Sequence, residues 1–420
     1  AVNEHLFQER LCLASEESRW AGLLEAVACV FANQRRAIVL TPEIPRAESL
    51  AAQFRHRWGN RVGIFHGNLP QERKLEEWVC IRKGERDVVI GTRSALFLPL
   101  PDVGLIWVDR EEDASYKEEH VPYYHAREVA RMRGELEQAL VVYGSQIPSL
   151  EVYAQFQPDG ISFVPARATP GSNVEIIVME CVPFGKLLSP RLEEKIAQAL
   201  GQRKPVILFL NRKGFSRGLL CKDCGHMPVC RVCHVTLKLF QRPSKLLCSY
   251  CGHSEPAPEQ CGVCHGTVFR FTGMGTQGGE EEETRIFPAS TGARFDREHV
   301  KTNREAHAIL AAYRQGEFQI LIGTEWLFHR LDPPRASLVG FPQADLGLHI
   351  PDFRSAERTF HTLFQAVEMA GQGTNPGEVI LQTRMRDHHV VQAIGTQDPE
   401  RFYRPELSLR DLLGYPPFSH

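Results

Sequence analysis

Eight cysteines between Cys221 and Cys264 constrain this chain more than any other feature of its sequence. They form four Cys-x₂-Cys pairs, separated by gaps of five, fourteen and nine residues. A Cys-x₂-Cys turn places two sulfur atoms on one tetrahedral Zn²⁺ ion, so four pairs satisfy two ions. Buried free thiols are the alternative, but this spacing favours metal. The predicted ligands are Cys221, Cys224, Cys230, Cys233, Cys248, Cys251, Cys261 and Cys264.

We expect the four pairs to be nested. The second and third pairs, Cys230 with Cys233 and Cys248 with Cys251, form the inner site, because their fourteen-residue gap suits a zinc ribbon. The first and last pairs form the outer site. Four-sulfur sites leave no position for water, so the predicted role of both Zn²⁺ ions is structural. Glycine follows three of the cysteines, where a tight turn needs a permissive backbone: Cys224, Cys251 and Cys261.

The length and composition set the broad class of the protein. A chain of 420 residues exceeds one compact core, so two domains are expected. It is 43% hydrophobic and 24% charged, as soluble globular proteins are. We find no apolar run of transmembrane length and expect no leader sequence. We therefore predict a cytoplasmic protein, associated with the nucleoid, with no membrane partner. The remaining four cysteines are isolated and are expected in the core.

The charge is balanced overall but not along the chain. The net charge is −2, yet Arg203 to Lys245 contains ten Lys or Arg and a single acid, Asp223. Such a block suits phosphate groups. It would also balance the negative charge of thiolates on Zn²⁺, and the sequence leaves both interpretations open.

Short, continuously apolar runs alternate with helical stretches in two sets. Such runs predict strands buried on both faces, hence two parallel sheets covered by helices, an α/β fold. A Pro- and Gly-rich stretch from Pro165 to Ser189 separates the sets, and the cysteines follow the first strand of the second set. The predicted strands are 36–41, 87–91, 104–109, 139–144, 205–211, 319–324, 337–341 and 378–382. The predicted helices are 46–58, 69–83, 125–138, 190–201 and 354–368.

These residues together resemble the PriA family of primosomal replication-restart helicases (primosomal protein N′). The most specific match runs from Leu208-Phe-Leu-Asn-Arg-Lys-Gly-Phe215 into Leu220-Cys-Lys-Asp-Cys-Gly225, and Ile90-Gly-Thr-Arg-Ser-Ala-Leu-Phe97 is another. The resemblance implies two RecA-like lobes of the superfamily 2 helicase type, with a zinc-binding insertion in the second. It also implies flanking DNA-binding and C-terminal domains, which this chain is expected to lack.

The resemblance also predicts domain boundaries. Residues 1–165 would be the first lobe, with a degenerate P-loop, and 166–220 the linker and start of the second lobe. Residues 221–266 would be the zinc-binding insertion, 267–390 the remainder of the second lobe, and 391–420 the start of a C-terminal region.

The nucleotide-binding motifs of that family are degenerate here. The P-loop position falls on Leu13 to Trp20, which contains no glycine. Arg19 stands where the phosphate-binding Lys belongs, and Trp20 replaces the hydroxyl that binds Mg²⁺. The sequence therefore predicts that ATP and Mg²⁺ are not used.

Two further motifs also lack residues that the family uses for ATP hydrolysis. Asp109-Arg-Glu-Glu112 replaces Asp-Glu-Glu-His, so Arg110 stands where a carboxylate would position the attacking water. Met369 and Gln372 occupy the positions of two arginines that the family uses to stabilise transition-state charge. The resemblance thus implies a helicase fold without catalytic residues.

DNA binding is the activity that the remaining residues favour. Some resemble the family's DNA-facing or aromatic-rich loops, and aromatic rings with cations suit unpaired bases and phosphates. Tyr123 and Tyr124 could instead pack a helix start. The candidates are Arg93, Ser94, Lys117, Tyr123, Tyr124, Arg127, Asn211, Arg212 and Lys213.

The leading hypothesis is a replication-restart protein that assembles the primosome at stalled forks without being an enzyme. The resemblance implies DNA, single-stranded DNA-binding protein, and the primosome and replicative-helicase-loading proteins as partners. The alternatives are an ATP-dependent 3′-to-5′ DNA helicase with rewritten motifs and a zinc-ribbon factor in transcription or RNA metabolism.

Overall fold

A computed structural model describes most of the chain and divides it into two compact units. The units are Ala1–Ala168, the first lobe, and Thr169–His420, the second lobe. The described residues are 6–157, 172–178, 187–210, 219–232, 236–241, 244–248, 251–271, 292–296, 299–329, 334–350, 352–371 and 376–419.

The first lobe is built on a six-stranded parallel sheet. Its strands are β1 (Gln8–Leu13), β2 (Arg36–Leu40), β3 (Val62–Phe65), β4 (Val88–Gly91), β5 (Val103–Asp109) and β6 (Leu140–Ser145). They lie side by side in the order β1-β6-β5-β2-β4-β3. Five of these strands are mostly or fully buried, so both faces of the sheet are covered, whereas β1 at the edge is only partly buried.

The described part of the first lobe has five α-helices, of which four connect these strands and the fifth follows β6. They are α1 (Glu16–Ala32), α2 (Ile44–Trp58), α3 (Gln71–Arg82), α4 (Ala126–Glu137) and α5 (Leu150–Phe156). Leu23 and Val27 of α1 and Phe54 of α2 pack on one face, whereas Ala126 and Ala130 of α4 pack on the other.

The second lobe contains eleven strands among its described residues. They are β7 (Asn173–Val178), β8 (Val206–Phe209), β9 (Leu219–Cys221), β10 (Lys238–Gln241), β11 (Ser244–Leu247), β12 (Ser254–Pro256), β13 (Phe269–Phe271), β14 (Gly292–Phe295), β15 (Ile320–Gly323), β16 (Leu338–Phe341) and β17 (Glu378–Thr383). Six of them form a parallel sheet in the order β14-β15-β8-β16-β17-β7. Its described helices are α6 (Pro190–Gly201), α7 (Asn303–Gln315), α8 (Ser355–Glu368), α9 (His389–Thr396) and α10 (Glu400–Leu413).

The cysteine module, residues 219–271, follows β8. Strands β9 and β13 pair antiparallel at its base, and β10, β11 and β12 form a separate antiparallel sheet. Its apolar core is small, consisting of Leu219, Leu237, Leu239 and Leu246 beside Cys230 and Cys248. So small a core is typical of modules that depend on bound metal.

The structure confirms the predicted two-lobed α/β fold. Each predicted strand and helix occurs with bounds that agree within two residues, wherever the end is described. β7 lies inside the stretch from Pro165 to Ser189 and pairs with β17, so part of that stretch belongs to the second sheet. The predicted boundary at 165/166 lies outside the described residues, and the one at 390/391 falls inside α9. Among the described helices, none combines the length and apolarity needed to cross a membrane.

Candidate functional site

The outer cysteine cluster brings four sulfur atoms together. The Sγ atoms of Cys221, Cys224, Cys261 and Cys264 all lie within 4.8 Å of one another. Sγ of Cys221 is 3.6 Å from that of Cys264, and Sγ of Cys224 is 3.5 Å from that of Cys261. Tetrahedral zinc with bonds of about 2.3 Å separates its sulfur ligands by about 3.8 Å. The donor set therefore fits Zn²⁺ in both chemistry and spacing.

The inner cluster contains Cys230, Cys248 and Cys251, whose Sγ atoms also lie within 4.8 Å of one another. Sγ of Cys230 is 3.7 Å from that of Cys251. The fourth predicted ligand, Cys233, lies outside the described residues. The seven described cysteines of the predicted ligand set thus group as nested pairing requires, and each group could hold a metal ion.

One backbone turn recurs at three of the Cys-x₂-Cys pairs. In each turn, the residue after the second cysteine donates its N–H to the carbonyl of the first and has a left-handed φ. The donor–acceptor pairs are Gly225–Cys221, Gly252–Cys248 and His265–Cys261. The left-handed position of the turn is therefore the residue after the second cysteine. Gly262 was expected from the sequence to be such a residue, but it follows the first cysteine of its pair, and His265 takes the left-handed position.

Backbone amides also point at the sulfur atoms. Val232 N–H donates to Sγ of Cys230 at 3.4 Å, and Val263 N–H donates to Sγ of Cys261 at 3.5 Å. Four thiolates on one Zn²⁺ leave a net charge of −2, and these amide dipoles stabilise it. The outer set alone fills a tetrahedron, so it suits a structural ion and leaves no place for a catalytic water.

The segment at the predicted nucleotide-binding loop is a short connection between β1 and α1. β1 ends at Leu13 and α1 begins at Glu16, so only two residues connect them. Ser15 caps the helix by accepting a hydrogen bond from Ser18 N–H, and Glu16 and Glu17 occupy the first turn. A P-loop needs free N–H groups in an open, glycine-rich turn. Here the helix occupies that space and places carboxylates at its start.

A buried network of ion pairs lies beside this helix start. Arg19 Nε donates to Asp109 Oδ1 at 2.9 Å, and both side chains are 3% exposed. Arg46 forms two hydrogen bonds of 2.8 Å with Glu16 and lies 3.8 Å from Asp109 Oδ2. Burial acts to lower the pKa of Arg19, but Asp109 and Glu112 outweigh it and raise the pKa, so the guanidinium remains charged. We name Glu16, Arg19, Arg46 and Asp109 the ion-pair network.

The two carboxylates after Arg110 are directed into the first lobe. Glu111 accepts hydrogen bonds from Ser149 N–H at 2.7 Å and from Ser149 Oγ at 2.9 Å. Glu112 accepts one from Ser145 Oγ at 2.7 Å. Burial raises the pKa of both carboxyl groups. Both carboxylates are therefore engaged by serine residues of the same lobe.

Other degenerate positions are accounted for by packing. Trp20 packs, partly buried, on the core that contains Leu23 and Val27. Met369 is 3% exposed and ends α8 within the second lobe. Gln372 lies outside the described residues.

An exposed aromatic surface lies on the first lobe. Tyr123 is 67% exposed and Phe97 is 61% exposed. The ring of Phe97 meets that of Tyr124 edge-on, with centroids 5.3 Å apart. The backbone of exposed Lys117 forms an antiparallel β-bridge with that of His125 in the same loop. We name Phe97, Lys117, Tyr123 and Tyr124 the aromatic surface; Phe97 was missed from the sequence, although it ends the segment Ile90 to Phe97.

The predicted DNA-binding arginines are held by carboxylates of the protein. Arg93 Nη2 lies 2.8 Å from Glu118 Oε2, and hydrogen bonds from Arg93 lower the pKa of Glu118 to about 2. Arg127 pairs with Glu111 at 2.5 Å and with Glu151 at 3.5 Å. Ser94 Oγ is buried without a hydrogen-bond partner among the described residues. Asn211, Arg212 and Lys213 lie outside those residues.

Known proteins with similar sequences carry one name. The chain is 37% identical over 404 residues to the replication restart protein PriA of Bacillus subtilis, covering 94% of this chain and 50% of that protein. It is 36% identical over 397 residues to the PriA of Treponema pallidum, covering 94% and 60%. It thus spans about half the length of these curated relatives. No protein-family model matches.

Among solved structures, yeast Dbp5 L327V bound to RNA and ADP–BeF3 is similar in fold. The TM-score is 0.50 at 10% identity, over 97% of this chain and 88% of that one. Two parallel sheets flanked by helices, with a cysteine module in the second lobe, define a helicase-like protein with two RecA-like lobes. Over the region shared with its relatives, the chain belongs to the PriA family of replication restart proteins.

Proposed function

We propose that this chain is the helicase-like core of a replication restart protein that binds branched or single-stranded DNA and does not hydrolyse ATP. The observation that carries the proposal is the ion-pair network, in which Arg19 and Asp109 satisfy each other. In a nucleotide-binding lobe, the equivalent Lys and Asp bind phosphate and Mg²⁺. Nucleotide entry would have to break a buried pair and face Glu16 and Glu17.

The replication-restart role is supported by the names of the relatives. We propose that the protein acts at stalled forks and recruits single-stranded DNA-binding protein and the primosome and helicase-loading proteins. It would work in the cytoplasm, at the nucleoid. The predicted domain boundaries remain part of this proposal.

DNA contact is assigned to the aromatic surface. Two features support this: Phe97 and Tyr123 offer exposed rings to unpaired bases, and Lys117 provides a nearby cation. Arg93 and Ser94 remain candidates at the adjoining loop, whereas Arg127 is neutralised by two glutamates. Asn211, Arg212 and Lys213 remain predictions from their place at the end of a predicted strand.

The cysteine module is proposed to hold two structural Zn²⁺ ions and to present a surface for protein partners. Cys221, Cys224, Cys261 and Cys264 would bind one ion. Cys230, Cys248 and Cys251, together with Cys233, would bind the other. Zinc supplies folding energy to so small a core, and no chemical step depends on it.

The test is ATP hydrolysis by the full-length protein, with and without forked DNA, measured beside fork binding in one buffer. We expect tight fork binding and no hydrolysis. DNA-stimulated hydrolysis that is lost in both Arg19→Met and Asp109→Asn would overturn the proposal and establish the helicase alternative. Preference for RNA or for promoter DNA over forks would favour a zinc-ribbon factor instead.

A further inference from the structure

A cavity of about 480 Å³ lies between the cysteine module and the end of the second lobe. Gly225, Val229 and Val263 line it from the cysteine module, and Arg384 and Leu409 line it from the other side. Its volume is that of a typical ligand or peptide pocket. None of the residues assigned above to DNA contact lies in it.

Arg384 is the charged group that distinguishes this cavity. Its stem crosses Gly225 so closely that a Cβ atom there would lie 2.1 Å from Cδ of Arg384. Throughout the described part of the chain, its guanidinium has neither an ion pair nor a hydrogen bond. The acidic groups of the lining have partners of their own: Asp352 pairs with Arg358 at 2.6 Å, and Glu406 pairs with Arg410 at 3.2 Å.

The rim of the cavity is apolar and exposed. Val263 is 63% exposed, Val229 is 44% exposed and Leu409 is 40% exposed. Exposed apolar side chains grouped around a concave site are typical of surfaces that bind another protein. An arginine without an ion-pair partner on such a surface is a frequent source of binding energy.

We propose that this cavity binds a peptide segment of a partner protein that carries an Asp or Glu next to an apolar side chain. The carboxylate accepts paired hydrogen bonds from the Arg384 guanidinium, whose planar fork matches its two oxygens. The apolar side chain packs against Val229, Val263 and Leu409.

A nucleic acid fits the cavity less well than an acidic peptide. A polyanion needs several cations, and among the described lining residues only Arg384 is a cation of fixed charge without an acidic partner. The ring of Phe353 is already covered by Tyr415, Arg354 and Arg410, so it offers no free face to a base. The balance of charge and apolar surface therefore favours a protein ligand.

A peptide site in this cavity would be one contact with the protein partners of the proposed function, and only its biological role rests on that function. Its test uses peptides and no fork DNA, so the two proposals can fail separately. A library of seven-residue peptides displayed on phage is selected on the full chain. We expect enriched peptides to carry Asp or Glu beside Leu, Ile, Val or Phe.

The best peptide is then synthesised with a fluorophore and titrated by anisotropy. Arg384→Met should weaken binding roughly tenfold to a hundredfold, as expected for one charge-assisted contact. Arg384→Lys should recover part of the loss. Arg386→Met removes an exposed charge two residues away that does not line the cavity and should leave affinity unchanged. Zinc content is measured for each variant, because the Arg384 stem packs on the Gly225 turn.

Three results would overturn the inference. Enrichment of basic or uncharged peptides would contradict the carboxylate contact. Equal binding by Arg384→Met and the parent chain would place the site elsewhere. Displacement of the peptide by inorganic phosphate or a short single-stranded oligonucleotide, at concentrations below the peptide's own dissociation constant, would assign the cavity to phosphate groups.

Discussion

Arg19 Nε lies 2.9 Å from Asp109 Oδ1, in a pair that is 3% exposed on each side. The two residues are 90 positions apart in sequence and meet where β1 and β5 end at the same edge of the first sheet. Both stand at positions where the family resemblance predicts residues that bind nucleotide and metal. In this protein they bind each other.

Breaking this pair should cost more stability than breaking a surface pair. Arg19→Met leaves Asp109 buried with only Arg46 nearby, so the free energy of unfolding should fall by about 3–5 kcal/mol. Arg131, which pairs with Glu128 and Glu135 on the surface of α4, is the matched control. Arg131→Met should change stability by less than about 1 kcal/mol. Urea unfolding measures both, and equal losses would contradict the buried network.

Nucleotide should leave the thermal stability of the protein unchanged. Any ligand that binds the folded state raises its melting temperature by mass action. With about 5 mM MgATP, we expect a shift below about 1 °C, because the helix start leaves no phosphate cradle. Differential scanning fluorimetry with and without MgATP is the measurement. A clear rise that disappears in Arg19→Met would show that nucleotide still binds.

Each cysteine cluster should lose its ion independently of the other. Cys230→Ser should release about one equivalent of Zn²⁺ by removing one of four ligands, and Cys224→Ser should do the same at the outer site. Cys29→Ser is the control, because Cys29 is exposed and belongs to neither cluster. Metal analysis of the purified variants reports the content. Two ions retained in Cys230→Ser would refute the ligand assignment.

Removing a ring from the aromatic surface should weaken single-stranded DNA binding. Tyr123→Ala is expected to cost about 1–3 kcal/mol, the usual value of one base-stacking contact. Leu136→Ala is the control, since Leu136 is exposed on α4 and has no aromatic ring. Anisotropy with a labelled oligonucleotide measures both affinities. If the two variants bind equally well, the aromatic residues serve packing instead.

Glu118→Gln should strengthen DNA binding by releasing Arg93. The pKa of Glu118 is lowered to about 2, chiefly by hydrogen bonds from Arg93, so this carboxylate neutralises the guanidinium at every pH used for DNA binding. Its removal should add about one phosphate contact, seen as a steeper dependence of affinity on salt. Glu119→Gln removes a neighbouring exposed charge and is the control. An unchanged salt dependence would mean that Arg93 does not face DNA.

Most strands of the two large sheets could be predicted from the sequence, whereas the ion pairs could not. Strands such as 104–109 are apolar up to the closing Asp109, and a short apolar run of this kind is typical of a strand buried on both faces of a parallel sheet. Four strands of the two large sheets were missed: β1, β3, β7 and β14. β1 and β7 contain polar residues within the strand, and β3 and β14 have only four residues each, one of them glycine. The pairing of Arg93 with Glu118 and of Arg127 with Glu111 could not be predicted, because sequence gives no sign of which glutamate folds against an arginine 25 or 16 residues away. Contact of these arginines with DNA stays a prediction.

The nested order of the cysteines sets the order in which the module can be dismantled. The inner pairs lie within the segment that connects the outer pairs. The outer ion therefore closes a longer loop that contains the inner site. Closing a shorter loop costs less chain entropy, so the inner site is expected to assemble first. Loss of the outer ion alone would then free the Gly225 turn on which Arg384 rests, while the inner unit stays folded. A fall in available Zn²⁺ would thereby loosen the wall of the cavity beside Arg384 before it unfolds the rest of the cysteine module.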